Sequence, residues 1–209
     1  MQKEEYPINS IIDLLDINSR YHHSAEWRPH RYIYRGLKRY DYQLLPGVGR
    51  LYVDGFTKCH KELERFERSA LDEFKTAVYN ELRINDDFIL MATAQHHGLK
   101  TRLLDWTLSP LIALFFAIEN QDENNDGALI SCQVKGELND FGGAENAFDF
   151  PKLNDHHFIF TPDVSPRIKA QQSVFQYFKN PTETFDQNEG GIEISYTGRL
   201  KAKLDARVK

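Results

Sequence analysis

Hydrophobic and polar positions alternate with a helical rhythm in the first half of the chain and collect into short apolar runs in the second. Leu63, Phe66, Ala70, Phe74, Ala77, Val78 and Leu82 recur with a period near 3.6, which predicts a helix over Lys61–Arg83. Leu63, Phe66, Phe74 and Leu82 are expected to be buried on its apolar face. A second helix is predicted over Asp87–His97, with Asp86 or Asp87 as its cap and Gly98 at the position that follows a helix end. Near the N-terminus, Asn9 and Ser10 open a helix whose apolar side is Ile11, Ile12, Leu14, Leu15 and Ile17, with Asp13 three residues after Ser10. Ser109 and Pro110 supply a cap and a first-turn proline for a helix through Glu119. That helix is apolar nearly all round, so its burial is expected.

Strands are predicted at Arg31–Gly36, Thr101–Leu104, Ala128–Val134, Phe158–Phe160, Ser173–Phe178 and Gly191–Tyr196. Gln43–Gly49, with Pro46, Gly47 and Gly49, reads as a loop, and Gln121–Gly127 as a polar turn. Gly136–Asp155 reads as a long surface excursion of the kind used for ligand lids. The fold class that follows is α+β: a helical N-terminal half packed on a mixed or antiparallel sheet. The chain reads as one domain, with 1–30 a helical extension, 31–198 the core and 199–209 a basic tail.

Composition narrows the classes. A net charge of −5 argues against a dedicated non-specific DNA binder. Locally the balance reverses: Arg20, Arg28, Arg31, Arg35, Lys38 and Arg39 are interleaved with Tyr21, Trp27, Tyr32, Tyr34 and Tyr40. Cations among aromatics suit a ligand bearing phosphates and bases, and equally suit a solvated basic face whose rings pack inward. Cys59 and Cys132 form neither a disulfide framework nor a metal spacing, which fits a reducing compartment. The first residues lack the apolar core of a signal peptide, and no apolar run approaches the ~20 residues of a membrane span. A cytoplasmic protein without membrane attachment is expected.

Three blocks carry candidate chemistry. Arg35 stands between Tyr34 and Gly36 at a strand end; its planar fork of donors suits a phosphate or carboxylate, and Gly36 lets a ligand or a backbone come close. Gln95-His96-His97-Gly98 ends a helix. Adjacent histidines diverge by about 100°, so they make a poor metal pair and no metal is expected. One of them is either a hydrogen-bonding site residue or a helix-end group satisfying carbonyls. In Thr101-Arg102-Leu103-Leu104-Asp105-Trp106-Thr107, Asp105 lies among apolar neighbours and is expected to be buried, with Arg35 or Arg102 as partner or in a helix cap. Gln171 and Gln172 precede an apolar strand, where an amide can orient a ligand hydroxyl or simply be exposed.

In this order the blocks resemble the FRG domain family, a bacterial and phage-associated family named for an aromatic-Arg-Gly motif. The matching residues are Tyr34-Arg35-Gly36, Gln95-His96-His97-Gly98, Thr101–Thr107 running into Pro110 and Ala117, and Arg167-Ile168 with Ala170-Gln171 and Phe175. A more distant resemblance is to the ADP-ribosyltransferase fold. There Arg35 takes the first motif position, Asp105-Trp106-Thr107 the second, and Gln171/Gln172 the third, where that superfamily carries glutamate. The resemblance implies a nucleotide-binding domain that uses NAD to ADP-ribosylate nucleic acid or protein, as a toxin or phage-defence factor. It also implies His97, Asp105 and Gln172 as catalytic groups and Tyr34, Arg35, Gly36, His96, Arg102, Trp106 and Thr107 as cofactor-binding groups. The alternative is a non-catalytic nucleotide or nucleic-acid sensor. Arg35, His97, Asp105 and Gln172 are expected to share one pocket.

Overall fold

The computed structural model describes residues 4–22, 31–82, 84, 86–119, 125–134, 139–140, 157–160, 166–185 and 192–200. The fold is α+β. It divides into two compact units, each assembled from separated stretches of chain.

The first unit takes residues 1–42, 106–137 and 187–209. Its strands are β1 (Glu5–Ile8), β2 (Arg31–Leu37), β4 (Gly127–Val134) and β8 (Ile192–Leu200), in the order β1-β8-β4-β2. β1 runs parallel to β8; the β8–β4 and β4–β2 pairs are antiparallel. At its outer edge β2 pairs Tyr34 with Thr107, the last residue of β3 (Leu103–Thr107). β1 has no counterpart among the predicted strands. Helix α1 (Ile11–His22) starts as its polar residues dictate: Ser10 Oγ accepts from the Asp13 amide at 3.1 Å, and Asp13 reaches back to the Asn9 amide at 2.9 Å.

Helices α1 and α5 (Pro110–Ile118) pack Leu14, Ile17, Ala113, Leu114 and Ala117 with Tyr32, Tyr34, Leu129 and Tyr196 from the strands. Ser109 caps α5, its Oγ accepting from the Ile112 amide at 3.4 Å. Small Ala113 and Ala117 let the α5 backbone lie directly on β2. A Cβ on Gly36 would stand 1.9 Å from the Ala113 carbonyl oxygen. The expected full burial of α5 is corrected: Leu111 and Phe115 are 47% and 53% exposed. A nine-residue helix lying on a sheet hides one face only, and here that face is Ala113, Leu114 and Ala117.

The second unit takes residues 43–105 and 138–186. It holds α2 (Gly47–Val53), α3 (His60–Leu82), α4 (Asp87–His96) and α6 (Pro166–Gln171). Its strands are the first three residues of β3, then β7 (Ser173–Tyr177), β6 (His157–Phe160) and β5 (Asn139–Asp140) in that order. β6 is antiparallel to β7 and parallel to β5. Asp86 caps α4, accepting from the Phe88 and Ile89 amides at 2.8 and 3.0 Å. Phe88, Met91, Ala92, Leu103, Phe175 and Tyr177 form its core, with Leu71 from α3. A fully buried side chain of the Phe or Met type contributes about 1.5–3 kcal/mol, so this cluster dominates the stability of the unit.

Two expectations are corrected here. Residues 47–53 form α2 where a loop is predicted, because close packing overrides glycine's low helix preference: a Cβ on Gly49 would stand 1.8 Å from the Pro181 carbonyl oxygen. On α3, Leu63 and Leu71 are buried and Phe74 partly so, but Phe66 is 40% exposed and meets the tilted ring of Phe56 with centroids 5.0 Å apart. The buried stripe runs Leu63, Glu67, Leu71, with Phe66 roughly 100° round the helix from its centre. The Leu82 side chain and most of the predicted Gly136–Asp155 excursion lie outside the described residues. Among the described residues, no helix is long and apolar enough to cross a membrane.

Candidate functional site

The best-defined polar arrangement of the second unit begins where α4 ends. His97 is its C-cap, and Gly98 follows with φ of +96°, a conformation glycine adopts freely. The Leu99 amide donates to the Ala94 carbonyl at 3.0 Å and the Gly98 amide to the Gln95 carbonyl at 3.0 Å, so the chain reverses tightly. The reversal brings buried Thr101 back beside Gln95, one turn up the helix. The Thr101 backbone is itself pinned, its carbonyl accepting from the Val48 amide at 3.1 Å. Its Oγ1 accepts from the Leu103 amide at 3.2 Å and donates to Gln95 Oε1. Gln95 Nε2 then donates to Asp105 Oδ1 at 2.7 Å.

The direction of this chain is dictated by chemistry. An ionised carboxylate only accepts, so the amide nitrogen of Gln95 must face Asp105 and its oxygen must face the Thr101 hydroxyl. The expectation that Asp105 is buried is corrected. β3 reads buried, buried, exposed, buried, buried, and Asp105 is the exposed residue at its centre. A carboxylate in contact with water escapes the desolvation cost that burial demands.

Arg102, the next residue after Thr101, has a different task. It is 4% exposed, and its Nε and Nη2 lie 2.9 and 2.8 Å from Glu67 Oε2. Its backbone amide donates to Glu67 Oε1 at 2.8 Å, and Nη1 donates to the Lys179 carbonyl at 3.2 Å. The guanidinium also lies over the Tyr177 ring, 5.8 Å from its centroid. Burial pushes the Glu67 carboxyl above its ordinary value, and the neighbouring guanidinium offsets that only in part. The fork fastens α3 to the start of β3 and the end of β7. Glu67 went unrecognised in the sequence; its signal is a carboxylate midway between Leu63 and Leu71 on an apolar stripe.

The remaining candidates separate by exposure. His97, Asp105 and Gln172 face solvent, and all three belong to the second unit. The His97 ring rests on Phe74 at 5.5 Å between centroids; half-buried His96 meets Phe175 edge-on at 6.0 Å. Gln172 follows α6 with φ of +46°, a left-handed position rare for a residue with a side chain, and its amide donates to the Lys169 carbonyl at 3.1 Å.

In the first unit Tyr34 is a core residue whose hydroxyl donates to Asn18 Oδ1, and Gly36 is occupied by α5. Arg35 is half-buried on the opposite face of β2, in register with Ile130. Trp106 is 2% exposed, and Thr107 Oγ1 accepts from the Ser109 amide at 3.1 Å, turning the chain into α5. Within the basic and aromatic stretch, Tyr32 and Tyr34 pack inward, while Arg20 pairs with Asp16 and Arg39 with Asp41. Residues 23–30 lie outside the described residues. Among the described residues, no group of three or more His, Cys, Asp and Glu is placed to hold a metal ion.

Comparison with known proteins matches one family. No curated protein and no solved structure matches the chain. The model of the FRG domain matches residues 30–126, a stretch that contains Tyr34-Arg35-Gly36 and the whole segment from Gln95 through α5, and the chain thus carries a domain of the FRG family.

Proposed function

We propose that this FRG domain binds a ribose-bearing nucleotide at Asp105, and that the nucleotide is NAD, from which ADP-ribose is transferred to a nucleic-acid or protein acceptor. One observation carries the reading. In a strand whose other four residues are buried, Asp105 alone meets solvent, and it is held there by an amide that is itself held by Thr101. Fold stability does not call for such an arrangement, whereas a ligand hydroxyl does, because a fixed acceptor binds without first losing rotamer freedom.

The residues fit such a ligand in part. Asp105 offers a carboxylate acceptor at an exposed position, which suits the paired hydroxyls of a ribose. Arg102 and Trp106 are consumed by the core and do not take part. In the reaction, the bond between ribose C1′ and the nicotinamide nitrogen breaks, and nicotinamide leaves neutral with the bonding electrons. C1′ bonds to an oxygen or nitrogen of the acceptor, whose proton passes to a base. Exposed His97 suits that base, and the Asp105 carboxylate stabilises the positive charge that grows on the ribose.

The second reading, a sensor that binds the nucleotide without cleaving it, is favoured by Gln172, an amide where a carboxylate would add charge stabilisation. Incubation with NAD followed by chromatography, together with calorimetry using ADP-ribose, separates the two. Released nicotinamide supports transfer, and binding without release supports the sensor. Neither binding nor release overturns the nucleotide reading.

A further inference from the structure

We infer that Gln95 is the positioning residue of this site: locked by the Thr101 hydroxyl, it holds the Asp105 carboxylate as a fixed acceptor for the ribose hydroxyls of the ligand. The inference rests on the nucleotide reading above and deepens it by naming what orients the ligand-binding group. Its basis is a relay of defined polarity. Val48 pins the Thr101 backbone, and the Leu103 amide occupies a lone pair of Oγ1 at 3.2 Å. The Thr101 proton is thereby aimed at Gln95 Oε1, and Gln95 Nε2 points at Asp105 Oδ1, 2.7 Å away.

The spacing explains why these residue types stand here. Gln95 lies in the last turn of α4, Gly98 supplies the reversal, and Thr101 precedes β3, so one tight turn closes the relay. Glutamate at position 95 would face Asp105 with like charge. Asparagine would be one methylene too short to span both partners. Valine at position 101 has the shape of threonine without the proton. Gln95 therefore acts through Asp105 and needs no ligand contact of its own.

The test combines amide NMR with calorimetry, using ADP-ribose as the probe. In the wild type, the Gln95 side-chain NH₂ should exchange slowly with water; Thr101→Val should release it and Thr101→Ser should keep it. Thr101→Val and Gln95→Leu should each weaken ADP-ribose binding about tenfold or more, with Thr101→Ser near wild type. A purely structural role would lower the melting temperature of these variants without following the hydroxyl in this way. Fast exchange in the wild type overturns the inference. So does a protected amide whose release in Thr101→Val leaves ADP-ribose affinity unchanged. If the wild type binds no ADP-ribose, the nucleotide reading falls, and the exchange data still decide the relay: protection lost in Thr101→Val upholds it, and no protection overturns it.

Discussion

The Arg102 guanidinium lies on the Glu67 carboxylate with Nη2 to Oε2 at 2.8 Å, and both side chains are at most 5% exposed. Two charges removed this far from water gain little net stability from one another, but either one left alone is costly. Glu67→Ala and Arg102→Ala should each destabilise the protein by about 3–5 kcal/mol. The double variant Glu67→Leu/Arg102→Met should cost much less than the sum of the single variants. Chemical denaturation of the four proteins measures the coupling. Additive losses would show that the pair does not act as a unit.

Position 36 is fixed by backbone packing. A methyl group there would meet the Ala113 oxygen at 1.9 Å and the Ala117 nitrogen at 2.7 Å, and both atoms belong to helix backbone that gives way only if α5 lifts off β2. Gly36→Ala should cost roughly 3 kcal/mol. Gly98→Ala meets no atom within 4 Å and bears only the strain of its positive φ, about 1 kcal/mol. Thermal melting should therefore rank Gly36→Ala well below Gly98→Ala; the reverse order would contradict the packing described.

The Ser131 and Tyr196 hydroxyls, both fully buried, face each other across β4 and β8 without either reaching full hydrogen-bond geometry. Burial pushes the Tyr196 phenol far above 10.0, and the Tyr34 phenol likewise. The fold thus favours the neutral phenols. Their contribution is complete below the unfolded value of about 10 and is lost as pH rises from there toward the folded values. Tyr196→Phe should keep or raise stability at neutral pH, since it removes a poorly satisfied hydroxyl. Above pH 10 it should lessen the fall in unfolding free energy by about 1.4 kcal/mol per pH unit. Urea melts from pH 8 to 11 test both halves; an unchanged alkaline slope would exclude Tyr196 as a contributor.

Much of this fold is legible in the sequence because local signals and packing agree. The Ser10, Asp86 and Ser109 caps, the glycine after α4 and the apolar runs of β4 and β7 all predict their elements. The disagreements share a cause. Gly47 and Gly49 look like loop residues, yet Gly49 is where α2 passes close to Pro181, a contact distant in sequence. Phe66 looks like core until Glu67 is seen to hold the buried position, and Glu67 is there because Arg102, 35 residues later, needs it. At the site, the motif residues were readable, but their tasks were not. Arg102 and Asp105 look like natural partners by charge and proximity, and tertiary structure gives each a different one.

Asp105 offers the sharpest separation of fold from function. Because it is exposed, Asp105→Ala should cost little stability, about 1 kcal/mol for the Gln95 hydrogen bond that is lost. Asp105→Asn should cost no more, since its side-chain oxygen can still accept from Gln95. The asparagine then turns its NH₂ outward where the carboxylate presents an acceptor, so a ligand hydroxyl that donates to Asp105 loses its partner. On the reading proposed here, Asp105→Asn should melt within a few degrees of wild type and yet lose at least tenfold in ADP-ribose affinity, the loss expected for a hydrogen bond to a charged group. Nicotinamide release from NAD should fall further, because the amide also removes the negative charge that the growing positive charge on the ribose requires. A variant that melts far below wild type would place Asp105 in the stability of the fold. One that binds ADP-ribose and releases nicotinamide as wild type does would remove Asp105 from the site.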